Sequence, residues 1–177
     1  KVKEETSEWR IVTSEWGVTF REWKTLDSTP EFLDYSIKDR PSWADAKARM
    51  TPSHDRVDWD FLKREYPKWR ARGDWIVASL WFGFDVTHAW AVGMDRVLEA
   101  MMEDPEWLKD MFGRWLDVHL ALYDMVWDAG YEFDCASWPD DMGYKHHQFF
   151  SLKTYREVLK PFHAKAAAWA HAHGAKV

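Results

Sequence analysis

Bulky apolar and polar residues alternate in Trp9-Arg10-Ile11-Val12-Thr13 and in Val18-Thr19-Phe20-Arg21-Glu22-Trp23, with Gly17 between the runs. A period of two predicts an antiparallel hairpin with one buried face. After Pro30, Phe32-Leu33-Asp34-Tyr35 predicts a further edge strand. A helix is expected from about Ser42 to Met50, interrupted by Thr51-Pro52-Ser53. The next, over Asp58–Arg72, buries Trp59, Leu62, Tyr66 and Trp69 and stops at Gly73, with a kink or split expected at Pro67.

From Asp74 the pattern changes. Trp75-Ile76-Val77-Ala78-Ser79-Leu80 is a continuous apolar run, as expected for a parallel strand covered on both faces, and Gly83 marks the turn after it. Met94, Val97, Leu98, Met101 and Met102 recur at helical spacing. Asp104-Pro105-Glu106 is a helix start, combining a capping Asp, proline in the first turn and an acid facing the helix dipole. The stripe Leu108, Met111, Phe112, Trp115, His119, Leu122 and Val126 follows and ends at Gly130. A strand over Tyr131–Ala136 leads to the loop Ser137-Trp138-Pro139-Asp140-Asp141-Met142-Gly143-Tyr144. A helix starts at Ser151, a second opens at Pro161 and closes at Gly174, and Ala175-Lys176-Val177 begins another strand. The pattern divides the chain into an amino-terminal hairpin-and-helix excursion, residues 1–73, and strand–helix units, residues 74–177.

Composition narrows the function classes. The chain has 177 residues, enough for one domain with a core. A net charge of −6 argues against non-specific nucleic-acid binding, which needs a basic footprint. No apolar run reaches membrane-spanning length, so no membrane partner is expected. The single Cys135 excludes an internal disulfide and a multi-cysteine zinc site, and a cytoplasmic compartment is the simplest reading. The chain starts at Lys1 and ends on a strand-like segment, which points to a piece of a longer polypeptide.

Side chains just past the carboxyl end of a parallel strand line the active sites of α/β proteins. Asp140 and Asp141 occupy such a position, where adjacent carboxylates can divide acid–base roles. The alternative is an acidic loop that caps a helix or pairs with Lys145. Asp134 joins the same pocket if it points inward, and is otherwise a hydrogen-bonded structural carboxylate. Trp81, Phe84 and Trp138 are the expected apolar wall. Trp115, Trp69 and Trp169 fit helical stripes and are assigned to the core. His146-His147 read as a surface loop, His119 as a core histidine, His88 as a weak pocket candidate and Cys135 as inert packing. Residues two apart on a helix point apart, so His171 and His173 do not make a metal pair.

The order Gly93-Met94-Asp95, Glu103-Asp104-Pro105-Glu106, Asp140-Asp141-Met142-Gly143, Tyr155-Arg156-Glu157, Leu159-Lys160-Pro161 and Ala170–Val177 resembles the uroporphyrinogen decarboxylase superfamily. The resemblance covers residues 74–177. It implies an α/β fold, a partial (β/α)8 TIM-type barrel, with Asp140 and Asp141 as polar groups of the pocket. The decarboxylase branch carries an arginine-rich amino-terminal segment and a tyrosine near the position of Phe82-Gly83-Phe84, and this chain has neither. The methyltransferase-like branch is therefore the nearer one. It implies corrinoid- or thiol-linked methyl transfer on a small-molecule substrate, with a corrinoid protein as partner. It also implies zinc in a longer parent, held by His and Cys ligands beyond Val177. Two other readings stay open: decarboxylation of a tetrapyrrole, and a Trp-rich carbohydrate-active or carbohydrate-binding protein, since the chain has 14 tryptophans.

Overall fold

The computed structural model describes residues 1–177. Its first sheet is antiparallel, with strands β1 (Val2–Glu5), β2 (Trp9–Thr13), β3 (Val18–Trp23) and β4 (Glu31–Tyr35) in sequential order. The alternation in the sequence sets the β2–β3 register: Trp9 faces Trp23, Val12 faces Phe20, and Thr13 faces Thr19 with their hydroxyls 2.8 Å apart. Helix α1 (Arg40–Ala48) begins at a reciprocal cap between Asp39 and Ser42 and buries Trp43 and Ala46. Helix α2 (Trp59–Arg72) is capped by Asp58, runs without a break through Pro67, and stops at Gly73.

The parallel pair comes next. Strand β5 (Val77–Ser79) lies beside β6 (Cys135–Ser137), and Lys176 adds a parallel bridge on the other side of β6. Between them run the short helix α3 (Phe84–Val86), a wide π-helical segment over Thr87–Val92, helix α4 (Met94–Glu103) and the long helix α5 (Pro105–Asp128). Asp104 caps α5 through the Trp107 N–H, as its sequence foretells. After β6 a loop leads into α6 (Leu152–Thr154), a second π-helical segment over Tyr155–Leu159, and α7 (Lys160–Ala172). The core lies between the parallel pair and α5, with Leu80, Phe82, Leu108, Met111, Phe112, Leu116 and Leu159 fully buried.

The expectation of a partial (β/α)8 TIM-type barrel is corrected. There are six strands, four of them in the antiparallel sheet, and no barrel closes. Closure needs a continuous ring of staggered strands. Here the first four strands pair through local turns, and the parallel ladder is three residues long. The strands are also shorter than expected. Asp134 accepts the Ile76 N–H through its side chain at 2.8 Å, so regular pairing in β6 begins only at Cys135. Val77 and Ser79 are exposed, so β5 is not covered on both faces. Finally, the helix does not restart at Pro161. It runs from Leu152 to Ala172, and the π turn ahead of Pro161 makes room for a ring that would otherwise crowd the carbonyl four residues earlier. No helix is long and apolar enough to cross a membrane.

Candidate functional site

The carboxyl ends of β5 and β6 deliver Phe82-Gly83-Phe84-Asp85 and Trp138-Pro139-Asp140-Asp141 to one place. Asp140 is the centre of it. Its side chain is 3% exposed, yet both oxygens are satisfied. Oδ1 accepts the backbone N–H of Asp85 at 2.8 Å, and Oδ2 lies 2.8 Å from Nε2 of His163 on α7. The approach depends on Gly83, whose φ is +99° and whose missing Cβ would stand 2.3 Å from Asp140 Oδ2.

His163 extends the series. Its Nδ1 lies 3.2 Å from the hydroxyl of Tyr155. An ionised Asp140 accepts only, which requires a proton on Nε2; in a neutral ring Nδ1 is then the acceptor for the Tyr155 O–H. The ring is held between Phe82 and Trp138, each with its centroid 5.8 Å away. Positions 155 and 163 would be about 80° apart around an unbroken α-helix. The π turn absorbs one extra residue, shown by the Lys160 N–H bonding the Tyr155 carbonyl, and turns both onto one face.

The other π segment, Thr87–Val92, borders the same cluster and carries His88, whose Nε2 is 3.4 Å from Asp85 Oδ1. Burial raises the Asp85 carboxyl above its ordinary value; His88 opposes this, while Asp140 and Asp141 add to it. Burial pushes the His88 imidazole down, against the pull of the same three carboxylates. Beside the cluster is a hollow of about 480 Å³, lined by Met142, Gln148, Phe150, Ser151, Leu152 and Tyr155. Tyr155 is thus common to the hollow and to the hydrogen-bonded series.

The residues expected from the sequence divide. Asp140, Trp138 and Phe84 come together: Trp138 packs on His163, and Phe84 packs on His88, Phe149 and Phe150. Asp141 is exposed and accepts the Gly143 N–H, stiffening its own turn. Trp81 lies apart, against Trp16 and along a separate groove with Phe61, His119 and Tyr123. Asp134 sits at the opposite end of β6, where it pairs with Arg70 at 2.9 Å; the Ile76 N–H, then Arg70, hold its carboxyl below the ordinary value. His146 and His147 are exposed. His163 and Tyr155 were not anticipated; the one available signal was the proline just before Phe162-His163, ahead of which the wide turn forms.

No group of three His, Cys, Asp or Glu side chains is placed to hold a metal ion, so zinc has no binding set among these residues. Comparison with protein-family models, with curated proteins and with solved structures finds no match. The resemblance to the uroporphyrinogen decarboxylase superfamily thus gains no family support, and neither do the methyltransferase and corrinoid chemistries that came with it.

Proposed function

We propose that the chain carries a small-molecule site at which the Tyr155 hydroxyl transfers protons, oriented by His163 and, behind it, Asp140. The observation that carries this reading is the continuous series from hollow to buried carboxylate. Tyr155 borders the hollow, its hydroxyl meets His163 Nδ1, and His163 Nε2 meets Asp140. A histidine held in one tautomer by a carboxylate can take a hydroxyl proton and return it, which is general acid–base catalysis through a relay. Tyr155 is the residue that would touch substrate; His163 and Asp140 position it. Two π turns flanking the cluster fit this reading, because such turns concentrate at functional sites.

A tyrosine-directed sulfonyl fluoride tests it. The phenol oxygen bonds sulfur, fluoride leaves, and the phenol proton passes to His163 Nδ1. Mass spectrometry should find Tyr155 modified fastest of the six tyrosines, with the rate falling about tenfold or more in His163→Phe. Equal modification of all six, or no change in His163→Phe, would contradict the relay.

A further inference from the structure

The charge distribution around the hollow bears on what it accepts. None of its six lining side chains is charged, and Met142, Phe150, Leu152 and Tyr155 make it largely apolar. Carboxylates stand behind and beside it. Asp140 is almost fully buried, Asp85 is half-buried, and Asp141 immediately precedes the lining residue Met142. Of the two histidines of the cluster, His88 is biased toward its neutral form by burial, and Nε2 of His163 is directed at Asp140 rather than at the hollow. The cations of the surrounding segments, Lys145, Lys153 and Arg156, are exposed, and Lys153 lines a different hollow with Glu157. Water screens exposed charges strongly and buried ones weakly, so the buried carboxylate dominates the potential inside.

We infer that the hollow takes a neutral or cationic organic molecule with an apolar body, and excludes carboxylates and other anions. This rests on the proposed relay, since Tyr155 is where such a molecule would meet the hydroxyl. A ligand with several carboxylates finds no arginine or lysine among the lining residues, and is repelled by Asp140, which stands behind Tyr155 and His163. An ammonium or a neutral hydroxyl or thiol meets no such penalty. Gln148 and Ser151 offer it polar contacts without charge.

Three probes of one shape separate the possibilities: benzylammonium, benzyl alcohol and benzoate. Titration of each into the full chain, followed by NMR shifts of the Met142 and Leu152 methyl groups, reads binding at the hollow. The expected order is benzylammonium at least as tight as benzyl alcohol, with benzoate about tenfold weaker or more. The gap between benzylammonium and benzoate should narrow in Asp140→Asn. Benzoate binding as tightly as benzylammonium, or shifts that map elsewhere on the chain, would overturn the inference. Absence of binding by all three would also overturn it, while the sulfonyl fluoride reaction would still decide the relay separately.

Discussion

The two sheets of this molecule are stabilised in different ways. The four-stranded antiparallel sheet is joined by local turns and cross-strand pairs, and among its strand residues only Val18 is buried. Its surface carries exposed ion pairs such as Arg10–Glu22 and Arg21–Glu31, which contribute little each. None of its strand residues belongs to the main core cluster; Trp16, in the β2–β3 turn, packs against that cluster, its ring tilted against Trp115 with centroids 5.2 Å apart. The two-stranded parallel sheet is shorter but sits against α5 and the core, and its carboxyl ends carry the polar cluster. Long regular pairing is therefore no guide to where this molecule places its buried charge. The short sheet holds it, because apolar packing excludes water there.

Substitutions should expose that difference. Phe112→Ala, in the fully buried face of α5, should cost about 3–5 kcal/mol in chemical denaturation, whereas Phe20→Ala in the antiparallel sheet should cost about 1 kcal/mol. Equal losses would mean that the two regions share one core after all. Gly83→Ala comes next, at about 2–3 kcal/mol, because it combines a φ of +99° with a collision at Asp140. It should also release the His163 ring, visible as a change in its NMR signals; an undisturbed ring would show that Gly83 does not set the approach.

The smallest effect is a pH dependence. Burial lowers the His88 imidazole from its ordinary 6.5, so the folded chain resists protonation there more than the unfolded chain does. The stability so contributed is present above about pH 6.5 and lost as pH falls through that value toward the lower, folded one. His88→Phe keeps an aromatic ring against Phe84 and Phe149 and removes the titration. Its loss of stability between about pH 7.5 and pH 5 should be smaller than that of the unsubstituted chain. A larger loss would contradict the assignment.

Local rules made much of the fold legible. Alternation located β2 and β3, the short run after Pro30 located β4, and Asp39, Asp58, Asp104 and Ser151 proved to be helix caps; of these, Asp58, Asp104 and Ser151 mark helix starts that the sequence had already suggested. The strand-end rule placed Asp140 at the cluster; Asp134, inside the strand, was left open between the pocket and a hydrogen-bonded structural role, and it lies away from the cluster, paired with Arg70. Which end of β6 a residue occupies depends on a register that Asp134's own side chain shortens. Trp81 was placed on the wall although Phe82 and Phe84 face the interior. Neighbouring residues of an extended segment point to opposite faces, and that parity favours Phe82 over Trp81. The Tyr155–His163 pairing was not legible, because it requires a turn wider than the α-helix and a partner carboxylate 23 residues away. The barrel expectation failed on tertiary pairing, which strand and helix order alone does not specify.

The most direct test of the relay is the ring nitrogen spectrum of His163, read by 15N NMR near neutral pH in the unsubstituted chain and in Asp140→Asn. The account predicts a single Nε2-protonated tautomer in the former, and a mixed or inverted population once the carboxylate is an amide. An Nδ1-protonated ring in the unsubstituted chain, or the same tautomer in both proteins, would contradict it.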